Sequence, residues 1–82
     1  MVFLALTSSG LRDALHLAAG QGHAIWCGAA ALTEQEFQAQ RLPGVSRLNY
    51  APGASERESI ARALDTIEQH HPGETVWVEG AP

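Results

Sequence analysis

Few side chains in this sequence have the type and spacing to carry chemistry. The densest group is Thr7-Ser8-Ser9-Gly10 with Arg12 beyond it. Its hydroxyls and backbone N–H groups suit an anion such as a phosphate. A serine nucleophile needs a base within hydrogen-bond reach, and histidine is the usual one. The histidines stand at 16, 23, 70 and 71. His16 follows Ser9 by seven positions, roughly 10 Å along a helix. His70 and His71 adjoin each other, and neighbours on a helix point in different directions, which argues against chelation by the pair. A positive group near a helix C-terminus is their ordinary role. Cys27, the only cysteine, has no basic neighbour in sequence to lower its pKa, so it reads as a small buried hydrophobe. Glu79 is a lone carboxylate able to act as a base. No zinc-ligand spacing is present, and nothing in the residues asks for a metal or a cofactor. Gly20-Gln21-Gly22 follows a helical stretch, whereas the dinucleotide fingerprint must follow a strand.

The elements that must position these residues alternate along the chain. Val2 to Leu6 is a continuous apolar run, as expected of a strand buried on both faces of a parallel sheet. Ser8 or Ser9 caps the helix after it, whose stripe Leu11, Ala14, Leu15 and Ala18 ends at Gly20 and Gly22. Ala24 to Cys27 is a second buried strand, stopped by Gly28. Thr33-Glu34-Gln35-Glu36 is a capping box inside a Leu32–Phe37 hydrophobic staple, and Leu42-Pro43-Gly44 closes that helix. Val45 to Tyr50 mixes polar and apolar residues and reads as an edge strand. A second capping box, Ser55-Glu56-Arg57-Glu58, opens a helix in which Ile60, Leu64 and Ile67 share a face and Glu58 can pair with Arg62. His70-His71-Pro72-Gly73 ends it, and Thr75 to Val78 forms the last strand. Trp26 and Trp77 both read as core residues.

The pattern β-α-β-α-β-α-β predicts a single α/β domain over residues 1–82, with four mainly parallel strands in two or three layers. The sheet order 3-2-1-4, a Rossmann-like half of a doubly wound fold, puts the apolar first strand inside and the polar third strand at an edge. The rival order 2-1-3-4 would bury the third strand.

Composition narrows the partners. Hydrophobic residues make up 45% and charged residues 17%, the balance of a globular chain rather than a disordered one. Five arginines, no lysine and nine acids give a net charge of −4, so no basic face for nucleic acid can be assembled. The amino-terminal run lacks a charged start, and no apolar stretch approaches the ~20 residues of a membrane span. The reading is a soluble protein of a reducing cytoplasm.

Ligands of doubly wound sheets bind at the carboxyl ends of the strands, where the strand order reverses. In the preferred order that point lies between strands 1 and 4, among Thr7, Ser8, Ser9, Gly10, Glu79 and Gly80, with Tyr50 to Gly53 within reach of it and Arg12 next along the first helix. The second and third helices carry acids in their first turns, and only the first helix opens without one. Val2 to Gly10, an apolar strand closed by Thr-Ser-Ser-Gly, resembles the phosphosugar-binding loop of sugar isomerase domains over that short segment; the resemblance implies a phosphate-holding loop at Thr7 to Gly10. Opposite it, the apolar strand Val76, Trp77, Val78 has no sequence after it to cover it, and such an edge invites pairing with another chain. Two functions follow. The favoured one is a non-catalytic interaction or assembly module, acting through a homodimer or a protein partner at Val76 to Val78. The alternative is a small binding domain that takes a phosphorylated, anionic ligand at Thr7 to Arg12.

Overall fold

The computed structural model describes residues 1–18, 21–53 and 56–80. Its elements are β1 (Val2–Ala5), α1 (Ser8–Ala18), β2 (Ala24–Cys27), α2 (Glu34–Gln40), β3 (Val45–Arg47), α3 (Arg57–His70) and β4 (Val76–Val78). The strands are all parallel and lie in the order β3-β2-β1-β4, which confirms the α/β fold and its 3-2-1-4 sheet.

The direction of the connections places the helices. The connections through α1 and α2 step one way across the sheet, and the connection through α3 steps back. Right-handed crossovers then put α1 and α2 on one face and α3 on the other. The side chains agree. Ala5, Ile25, Cys27 and Val45 pack with Leu11 and Ala14 of α1, and Leu32 and Phe37 join them as the expected staple. Val2, Leu4 and Trp26 pack on the opposite face with Ala63 and Ile67 of α3. β1 therefore buries both of its faces, the physical reason its residues are apolar without alternation.

Several local expectations are corrected. β3 covers only Val45–Arg47; its half-buried Ser46 and Arg47 suit an edge, and Leu48 is buried beyond its end. The first helix is capped by Thr7 rather than by Ser8 or Ser9: the Gly10 N–H donates to Thr7 Oγ1 at 3.1 Å, and the Leu11 N–H to the Thr7 carbonyl at 2.9 Å. The Thr33 capping box is present in both directions, and that helix closes on Arg41, which holds a left-handed φ of 47°. The second capping box turned on Ser55, which lies outside the described residues; α3 starts after Glu56, whose side chain makes no cap bond. Glu58 and Arg62 form no ion pair among the described residues, and the Arg62 guanidinium lies instead 4.1 Å over the Tyr50 ring. The reading of Trp77 as a core residue is overturned, since it is 59% exposed while Trp26 is buried. Trp77 is in register with Phe3 and so faces the α1 side, where, among the described residues, α1 covers β1 and β2 and no helix covers β4.

Candidate functional site

The parallel register Leu4↔Val78 carries Glu79 to the mouth of the loop that follows β1. There its carboxylate sits on the start of α1. Oε1 accepts from the Leu6 N–H at 2.7 Å and the Thr7 N–H at 2.8 Å, and Oε2 accepts from the Thr7 hydroxyl at 2.5 Å. Gly10 leaves room for it, because a Cβ there would stand 1.9 Å from Glu79 Oε1. Burial works against the charge of Glu79, but the bonds from the Thr7 hydroxyl, the Thr7 N–H and the Leu6 N–H outweigh it and hold the carboxyl below its ordinary range.

α1, which opens without an acid of its own, thus receives one from beyond the end of β4. An anion stabilises a helix N-terminus through the free N–H groups and the partial positive charge there. Glu79 fills that role, so an incoming phosphate has to displace it or meet its repulsion.

The same geometry bears on catalysis. The single hydroxyl proton of Thr7 goes to Glu79, so in the 3.1 Å contact between Thr7 Oγ1 and Ser9 Oγ it is Ser9 that donates. Ser9 therefore points its proton at an oxygen with no base behind it but a carboxylate of lowered pKa, which is a poor proton acceptor. His23 packs edge-on to Phe3, His70 and His71 lie against Trp26, and His16 makes no hydrogen bond or ion pair among the described residues. Among the described residues no three His, Cys, Asp or Glu side chains gather as a metal site.

The structure brings Thr7, Ser9, Gly10 and Glu79 together as the sequence suggests. Ser8 is exposed in the first turn of α1 and makes no side-chain bond among the described residues. Arg12 is exposed beside Asp13 and His16 and makes no hydrogen bond or ion pair among the described residues. One neighbour escaped the sequence reading. Cys27 has no basic residue beside it in the chain, yet the β2–β3 register sets Arg47 next to it. Burial pushes the thiol up and the Arg47 charge only partly offsets that, so Cys27 stays a buried thiol.

Next to Glu79 an open groove of about 220 Å³ runs between α1 and β4, floored by Phe3 and Ala5 and walled by Leu17 and Trp77. Leu17 is 65% exposed, so groove and rim form a mainly apolar strip along the bare side of the sheet, with Asp13 and Glu79 also in its lining. Comparison with family models, with curated proteins and with solved structures finds no match for this chain. No helix among the described residues is long and apolar enough to cross a membrane.

Proposed function

We propose that this protein is a non-catalytic interaction module whose partner-facing surface is β4 with the groove beside it. The observation that carries this reading is Trp77, a large apolar side chain left 59% exposed on an edge strand. Among the described residues β4 pairs with β1 alone, and an edge with bare backbone groups and an apolar face is a template for another chain. The self-satisfied Glu79 site supports the same reading from the other side, since the best anion position is taken by the chain's own carboxylate. The buried, lone thiol suits a reducing compartment such as the cytoplasm.

The test is amide NMR at micromolar concentration. Val76 and Val78 N–H groups should exchange rapidly while that of Trp77, bonded to β1, exchanges slowly. Added phosphate, nucleotides and sugar phosphates should leave the Leu6, Thr7 and Gly10 signals in place. Protected Val76 and Val78 amides would mean the edge is already covered. Shifts confined to Leu6–Gly10 would give the site to a phosphorylated ligand instead.

A further inference from the structure

We propose that the occupant of this edge is a second copy of the same chain, paired β4 to β4 in antiparallel register about a two-fold axis at Trp77. This rests on the interaction reading above and names its partner.

The hydrogen-bond parity of β4 sets the register. The Thr75 carbonyl accepts from the Val2 N–H at 2.9 Å, and the Glu79 N–H donates to the Leu4 carbonyl at 2.9 Å. Backbone groups alternate along a strand, so Thr75, Trp77 and Glu79 face β1, and Val76 and Val78 point their N–H and C=O outward. Opposing Val76 of one copy to Val78 of the other lets each pair exchange both of its bonds, four in all. Trp77 then faces its own copy in a non-bonded pair, where side chains approach most closely. A two-fold interface needs a self-complementary surface, and Val-Trp-Val is a palindrome about that axis.

Side chains and charge fit the same arrangement. The two tryptophans meet on the α1 face, where each rests beside an exposed Leu17 and the open groove. The strand carries no lysine, proline or inward charge of the kind that blocks edge pairing. Its flanking acids are engaged within their own copy, Glu74 with the Met1 ammonium group and His71, Glu79 with Leu6 and Thr7. The register sets Glu79 across from Thr75 of the other copy, so no like charges oppose each other. Three residues of pairing and one tryptophan give an interface well below the standard size of about 1,600 Å². The dimer is therefore weak, and it tightens with salt because each copy carries −4.

Sedimentation of the full chain from 5 µM to about 1 mM tests this, with Trp77→Lys, Trp77→Glu and their equimolar mixture run beside the wild type. Trp77 lies outside both core clusters, so the variants keep the fold, which their amide spectra verify. The expected result is dimerisation of the wild type at high concentration, monomers for each variant alone, and recovery of the dimer in the mixture, because like charges meet across the axis in the former and opposite charges in the latter. A wild type that stays monomeric at 1 mM overturns the second copy as occupant, while the interaction reading is decided separately by the exchange and phosphate experiment. A dimer indifferent to both substitutions, or variants that fail to recombine, overturns the register at Trp77.

Discussion

Replacing Gly10 by alanine should destabilise the wild-type protein and stabilise the Glu79→Ala variant. Alanine is favoured over glycine inside a helix by about 1 kcal/mol, somewhat less in a first turn. In the wild type the new Cβ would lie 1.9 Å from Glu79 Oε1 and 2.1 Å from its Cδ, so the carboxylate must leave. It is the free end of a flexible side chain, and the cost of its departure is the loss of its three bonds. The partly buried bond from Leu6 is charge-assisted and worth about 1.5–3 kcal/mol. The two from Thr7 are exposed, and water replaces them at about 0.5 kcal/mol each. Set against the helical gain, Gly10→Ala should cost the wild type about 1.5–3.5 kcal/mol, or roughly 6–28 °C in Tm for a domain of this size. With Glu79 already alanine the obstacle is gone, and the same substitution should add about 0.5–1 kcal/mol. Urea unfolding of the four proteins of this cycle measures the coupling. Additive effects, with a coupling term below about 0.5 kcal/mol, would refute the reading of Glu79 as the anion of α1.

Three further outcomes follow from the same description. The Glu79 carboxyl is held below its ordinary value of 4.5, so the unfolded chain binds its proton more readily than the folded one. Its stabilising contribution is complete above that ordinary value and fades as pH falls through the lower folded one; wild type and Glu79→Gln should converge in stability on acidification, and a difference that stayed constant would contradict the assignment. Cys27 is fully buried with a raised pKa, so an aromatic disulfide reagent should modify it only at the rate of unfolding, followed by absorbance with and without urea. Ile67→Ala removes a side chain with no exposed surface. It should cost about 2–5 kcal/mol, a large share of the roughly 4–12 kcal/mol expected of the whole domain, and calorimetry should show a transition shifted down by tens of degrees or lost.

The alternation of elements and the sheet order were legible because apolar runs, caps and glycines punctuate the chain at each boundary, Thr33 to Glu36 most clearly. The sequence carries the third strand on to Tyr50, past its end at Arg47, because Leu48 is buried just beyond that end and an apolar residue in a loop looks the same as one in a strand. Trp77 was misread because size and hydrophobicity suggest a core position wherever the residue falls. That Trp77 shares a face with Phe3, away from the crossover into β4, is set by the strand register. Thr7, Gly10 and Glu79 could be named as neighbours from strand order alone. That Glu79 itself is the ligand of that loop depends on a register no local pattern contains. Arg47 beside Cys27 has the same origin, a contact made only by strand pairing.

The bonds from Leu6 and Thr7 to Glu79 join residues 73 and 72 positions apart, and β1 has one neighbour in β2, the next strand along the chain, and the other in β4, the last. Loop closure on that scale must be completed before the contacts reward it, and such long-range pairing slows folding. α1 accordingly lacks the anion at its start until β4 has docked, which makes a helix near one end of the chain wait on a strand near the other. In any partly folded chain that has not yet docked β4, the outer side of β1 is itself an open edge, so the strand buried on both faces of the finished sheet is the one exposed to a neighbour.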